Sequence, residues 1–226
     1  EEHLDKAYAE EPIKPDTHQE VADVFAPFEY VEVKPSEKNT EKRLLDAVKD
    51  AMYQSMEKHS DLVLMGQDIA DYGGVFKATE GFVDKFGKKR VRNTPLCEAA
   101  ILGTGLGLSI KGMRSMVEMQ FADFVTEGFN QIVNNLAKAH WRWGQNANVV
   151  VRMPTGGTVA AGPFHSQSNE AWFYHTPGLK IAYPAFPYDA KGLLNTAFND
   201  PNPVMFFEHK ALYRSVTQEI PDDYYT

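Results

Sequence analysis

The chain is poor in cysteine, in long apolar runs and in positive charge. Cys97 is the only cysteine among 226 residues, which excludes an internal disulfide and a cysteine-built metal site and agrees with a reducing compartment. No apolar run approaches the roughly 18 residues needed to cross a bilayer. The opening EEHLDKAYAEEP is too acidic and polar for a signal or transit peptide, so a cytoplasmic or organelle-matrix setting is expected, with no membrane partner. With 23 Lys and Arg against 31 Asp and Glu, the net charge is −8 and the pI is about 5.4, which argues against a nucleic-acid partner. Nucleotide-binding fingerprints are missing too. There is no G-x-x-x-x-G-K-[ST], and G-x-G-x-x-G fails because Leu108 stands where its last glycine belongs.

What is present is enough apolar sequence, 43% of the chain, to bury a sizeable core. Residues 1–39 read as an acidic arm or linker, with Pro12, Pro15, Pro27 and Pro35 and no sustained period. Residues 217–226 stop in polar, turn-like sequence with no closing helix or strand expected. Between them, Leu44, Leu45, Ala47, Val48, Ala51, Met52, Ser55 and Met56 trace one face of a helix of about four turns. Strands are expected at DLVLMG, SMVEMQ, NVVVRMP, LKIAYPA and PVMFFEHK. Helices are expected at FVDKFG, along the stripe from Phe124 to His140, around EAWFYH and in DAKGLLNTAF. Short apolar strands alternating with helices imply an α/β fold, a mostly parallel sheet with helices on both faces. Ligands then collect beyond the carboxyl ends of the strands, after Met65, Met119, Pro154 and Glu208.

Glu98 is the single charge inside the run LCEAAILGTGLGLSI. Two readings stay open. Thr94 caps a helix with Pro95 at its first position and Glu98 acts as a slightly late capping-box residue. Otherwise Glu98 is a buried carboxylate of raised pKa that trades a proton with a ligand nitrogen. Ala99, Ala100, Gly103 and Gly107 make a smooth helix face for close packing on another helix or a partner subunit.

The strings GQDIADYGGVFKATEGFVDKFGKKRV, NTPLCEAAILGTGLGLSIKGMRSMVEMQFADF, FHSQSNEAWFYHTPGLKIAYPAFPYDAKGLL and DPNPVMFFEHKALYR closely resemble the β subunit, or β-like half, of thiamine-diphosphate-dependent 2-oxoacid dehydrogenases. These are the E1 components, and QFADF and FFEHKALYR point to the branched-chain type. The resemblance covers about residues 40–216 and implies a pyrimidine-binding domain of the thiamine diphosphate fold, with residues 217–226 opening a connector to an absent C-terminal domain.

On that resemblance Glu98 hydrogen-bonds the cofactor pyrimidine and Phe124 stacks on it. Leu96 and Gln120 line the pocket, and His165 handles the acyl intermediate or its transfer to lipoyl. Gln67 stands where many members carry Glu, so hydrogen bonding rather than proton transfer is implied there. Asp200 and Asn202, with carbonyls near Val149 and Val150, fall where some branched-chain members hold a structural potassium ion, although turn chemistry explains both equally well. His175 reads as a packing or helix-end residue.

The family's G-D-G diphosphate and Mg²⁺ motif is absent, so an α-type E1 half, separate or fused, is implied as its supplier. A second β-like half by dimerisation and a lipoyl-bearing E2 acyltransferase are implied as further partners. The resemblance places the protein in the cytoplasm of a bacterium or the mitochondrial matrix of a eukaryote. Alternatives are a pyrimidine-binding domain of the transketolase or deoxyxylulose-phosphate synthase type, and a non-catalytic α/β scaffold.

Overall fold

The structure is a computed structural model that describes residues 1–157 and 160–226. In chain order its elements are α1 (Glu2–Tyr8), α2 (Thr17–Ala22), β1 (Asn39–Arg43), α3 (Leu44–Lys58), β2 (Leu62–Gly66), α4 (Phe82–Phe86) and β3 (Val91–Asn93). These are followed by α5 (Glu98–Ile110), β4 (Arg114–Glu118), α6 (Ala139–Trp143), β5 (Val149–Thr155), β6 (Lys180–Ala182), α7 (Pro187–Asn199), β7 (Val204–His209), α8 (Leu212–Ser215) and β8 (Thr217–Pro221).

Six strands form one wholly parallel sheet in the order β3-β2-β4-β5-β7-β6. β2 and β5 are buried along their whole length, which is why they read as continuous apolar runs rather than alternating ones. Alternation reappears as two cores. Leu62, Leu64, Met116, Val150 and Phe206 face α3 and α7 on one side, while Val63, Met65, Val117, Val151 and Met205 face α5 and the segment after β4 on the other. The α3 stripe from Leu44 to Met56 is buried as its spacing predicts, and Ser55 Oγ meets Asn195 Oδ1 of α7 at 3.0 Å. The α/β fold with both faces covered is therefore as expected. Among the described residues no helix is long and apolar enough to cross a membrane.

Several expectations are corrected. The stripe from Phe124 to His140 is not one helix but a 3₁₀ segment (Ala122–Gly128), a π turn (Gln131–Leu136) and the short α6. Val125, Ile132 and Leu136 still point into the core, so the apolar pattern survives while the hydrogen-bond register changes, Ala137 N donating to Ile132 O at 2.9 Å. EAWFYH yields only a 3₁₀ turn at Glu170–Phe173.

The end of the chain is not irregular, for β8 pairs antiparallel with β1 from Asn39↔Pro221 to Arg43↔Thr217, and Tyr225 is buried. β1 has no alternation to announce it because its residues are mostly exposed. Within residues 1–39, α1 and α2 bury nothing, yet the segment is pinned at Ala26. Its N–H donates to Asn202 Oδ1 at 2.7 Å, and its carbonyl accepts from Asn202 Nδ2 at 3.0 Å.

Candidate functional site

Parallel strands deliver their carboxyl ends to one edge of the sheet, and that edge gathers Gln67 after β2, Glu98 at the start of α5, Gln120 and Phe124 after β4, and His165 in the loop after β5. Glu98 is the first residue of α5, with Cys97 as an N-cap that offers no side-chain bond. The Thr94 hydroxyl has no hydrogen-bond partner among the described residues. The capping box is thus not formed. Instead the Glu98 carboxylate accepts a hydrogen bond from Gln67 Nε2 at 2.9 Å through Oε1, and it sits where a negative charge complements the helix N-terminus. Gln67 is itself buried, and its Oε1 has no partner among the described residues.

The other reading needs correction as well. Glu98 is half-buried rather than enclosed, Ile101 is buried, but Leu96 is 81% exposed and Cys97 and Ala100 face outward. Beside them, between Met65, Pro95, Cys97 and Ile101, lies a cavity of about 110 Å³. A larger one of about 400 Å³ lies far from this edge, between the N-terminal arm and α7.

Phe124 and His165 are brought together. Their ring centroids are 5.3 Å apart, and both lie edge-on to Phe121, at 5.7 Å and 4.8 Å. This aromatic group abuts the start of α5 because Gly128 lets the 3₁₀ segment approach. A Cβ there would stand 2.2 Å from Leu102 Cδ1 and 3.4 Å from Glu98 O. Gln120 is half-buried at the end of β4.

The His165 loop is closed at its base by Gly156 N and Thr155 Oγ1, both donating to Gln167 O at 2.9 and 3.1 Å. Gly156 has φ of +82° and a Cβ on it would fall 2.3 Å from His209 Nε2, so only glycine fits. His175, expected as a packing or helix-end residue, is exposed and follows Tyr174, the C-cap of the 3₁₀ turn Glu170–Phe173.

Asp200 and Asn202 lie at the opposite edge. Asp200 pairs with Lys180, its Oδ1 accepts from Asn202 N and Nδ2 at 2.9 and 2.8 Å, and Asn202 holds Ala26. With Lys180 facing the carboxylate and the Asn202 side-chain oxygen accepting from the Ala26 amide, these two side chains anchor the arm.

Residues that sequence reasoning missed lie just beneath the site. Arg152 of β5, 1% exposed, donates to Glu208 through Nε and Nη2 at 2.6 and 2.7 Å and to Tyr213 Oη at 3.1 Å, and it also pairs with Glu118. Tyr213 donates to Glu208 at 2.6 Å. Burial, opposed by Arg152, pushes the Glu118 carboxyl above its usual range. Phe76 links this cluster to the site, packing on Tyr213 at 5.2 Å and on Phe121 at 5.6 Å. Their signal in the sequence is the same as that of Glu98, since Glu118, Arg152 and Glu208 are also charges inside apolar strands. Asp123 was missed as well, and its Oδ1 accepts from Ser166 N and Gln167 N, both at 3.1 Å.

Residues 41–216 match the family described as transketolase, pyrimidine binding domain. The chain is 49% identical over 183 residues to the 2-oxoisovalerate dehydrogenase subunit beta of Bacillus subtilis, covering 80% of this chain and 56% of that protein. It is 44% identical over 193 residues to the mitochondrial 2-oxoisovalerate dehydrogenase subunit beta 2 of Arabidopsis thaliana, covering 84% and 54%. A pyruvate dehydrogenase E1 component subunit beta of Acholeplasma laidlawii matches at 42% identity, covering 80% and 56%. The chain therefore spans about half the length of the curated relatives it matches. Among solved structures, a split gene transketolase, recorded as an inactive beta4 tetramer, shares the fold with a TM-score of 0.59 at 20% identity, over 74% of this chain and 50% of that one. The chain belongs to the transketolase pyrimidine-binding domain family and stands within it beside the β-type E1 subunits of 2-oxoacid dehydrogenases.

Proposed function

We propose that this chain supplies the pyrimidine-facing half of a thiamine diphosphate site in an E1 enzyme that oxidatively decarboxylates a branched-chain 2-oxoacid and passes the acyl group to lipoyl. The observation that carries the reading is the Gln67–Glu98 hydrogen bond at the carboxyl edge of the sheet. It holds a carboxylate at a helix start with one oxygen engaged and the other left for a ligand. The residues present fit a heteroaromatic ring: a half-buried carboxylate, the buried Gln67 Oε1 with no partner among the described residues, and the Phe124 and His165 rings alongside. When bound, thiamine diphosphate supplies the carbon nucleophile and the electron sink for decarboxylation.

Glu98 holds or releases a proton at its free oxygen toward a ring nitrogen, while Gln67 fixes its orientation. Phe124 offers a flat apolar face that excludes water from the ring. His165, half-buried and carried on a closed loop, holds the proton needed in acyl transfer. The diphosphate and Mg²⁺ fall to an α-type half, on this chain's lack of G-D-G. The outward face of α5, with Ala100, Thr104 and Ile110 exposed and Leu96 exposed just before its start, is the surface that a second half would cover. A lipoyl-bearing acyltransferase completes the set of partners.

The test is thiamine C2 proton exchange, followed by NMR in the assembled enzyme and in its Glu98→Gln variant. The amide keeps the shape but cannot exchange the proton in the same way, so exchange should slow by roughly 10²- to 10⁴-fold. An unchanged rate would overturn the reading.

A further inference from the structure

Lys210 follows β7 at the same sheet edge and is 5% exposed, yet its ammonium has no hydrogen-bond partner among the described residues. It lies over the Phe121 ring, 5.4 Å from the centroid, and Phe121 is the ring against which His165 packs at 4.8 Å. Asp123, also 5% exposed, uses Oδ1 for the amides of Ser166 and Gln167, the two residues after His165. Its Oδ2 has no partner among the described residues. A buried carboxylate without a compensating cation is costly, and so is a buried ammonium without an anion.

We propose that Lys210 is a positioning residue: its buried ammonium sustains the Asp123 carboxylate as the clamp that fixes the loop carrying His165. The two groups make no direct hydrogen bond; what brings them together is the Phe121 ring, which carries the ammonium on its face and lies two residues before Asp123. Burial lowers the Lys210 pKa, and the charge that opposes this is Asp123. The Lys210 backbone joins the same unit, its N–H donating at 3.0 Å to the carbonyl of Thr155, where the loop begins. Lys210 and Asp123 thus hold the two ends of one loop, Thr155 by backbone and Ser166 and Gln167 by side chain. The importance of this for catalysis rests on the reading of His165 in acyl transfer.

The experiment is hydrogen–deuterium exchange by mass spectrometry on the enzyme assembled with its α-type half, reading the segment that contains Ser166 and Gln167. Lys210→Met and Asp123→Asn should each speed exchange there by roughly 10-fold, because each disables the same charge-assisted clamp. The double variant should add little to either single one, and Lys210→Arg should restore slow exchange. Lys210→Gln repeats the measurement if the methionine variant does not fold. Wild-type exchange in Lys210→Met, or effects that multiply in the double variant, would overturn the proposal. Acyl transfer to lipoyl, measured in parallel, should fall more than decarboxylation. Faster exchange with acyl transfer untouched would support the clamp and sink the catalytic reading of His165.

Discussion

Replacing Arg152 with methionine removes the centre of the buried charge cluster while keeping an unbranched side chain in its place. Glu208 keeps the Tyr213 hydroxyl at 2.6 Å, but Arg152 is the side chain with which Glu118 pairs. The variant therefore leaves two buried carboxylates without their cation, Glu208 with one hydroxyl and Glu118 with none of its Arg152 contact. Breaking a buried ion pair from one side typically costs about 3–5 kcal/mol, and the four contacts that Arg152 makes to Glu118, Glu208 and Tyr213 put this site toward the upper part of that range at neutral pH.

The pH dependence sharpens the expectation. Glu118 already holds its proton more tightly when folded than the ordinary value of 4.5, so the folded state carries more protons and stability falls as pH rises through that window. Arg152 limits the fall, because its charge favours the ionised carboxylate. Without it the fall steepens, and the variant should lose much more at pH 7 than at pH 5. Urea denaturation followed by tryptophan fluorescence at both values measures this directly. Adding Glu118→Gln to the variant should recover part of the loss at pH 7 and little at pH 5. A loss below about 1 kcal/mol, or one equal at the two pH values, would refute the argument.

Asn202→Ala removes both hydrogen bonds to Ala26. Residues 1–26 should then become sensitive to protease, while Tyr30 and Val33 stay bonded to Thr226, with a global stability change of no more than about 1–3 kcal/mol. An unchanged digestion pattern would count against Asn202 as the anchor. His59 is held down to about 4, by burial first and then by the nearby Arg114 charge. The unfolded state binds that proton more readily, so this contribution is present above the ordinary 6.5 and is lost as pH falls toward 4. His59→Asn should flatten the stability profile between those values, which pH-dependent thermal melts would reveal.

The alternation of apolar strands and helices made the sheet legible, because parallel strands buried on both faces must be written almost entirely in apolar residues. β1 and β8 were not legible for the opposite reason, since they pair in a mostly exposed ribbon that needs no apolar face. The stretch after β4 showed its buried residues but not its hydrogen-bond register, because 3₁₀, π and α turns present nearly the same stripe over two turns. Gln67, Phe124 and Glu98 were visible as positions of interest, yet the bond between Gln67 and Glu98 depends on the end of β2 and the start of α5 meeting across 31 residues of chain. Lys210 and Asp123 gave no periodic signal, and only the fold brings one beside Phe121 and the other beneath the His165 loop.

The ribbon of β1 and β8 has a mechanical meaning. Because the strands run antiparallel with Asn39 opposite Pro221, the outer ends of the two strands meet at one corner, where Lys38 O accepts from Asp222 N at 3.0 Å and the Lys38 ammonium lies 3.0 Å from the Asp222 carboxylate. A pull applied through Lys38 and Asp222 loads the ribbon in unzipping geometry, one pair at a time, rather than shearing all five pairs at once. The corner is tied to the body of the domain as well, since the Asp222 carbonyl accepts from Gln54 Nε2 of α3 at 2.6 Å and from Lys191 Nζ of α7 at 3.0 Å, so the same pull is shared between the ribbon and these two helices.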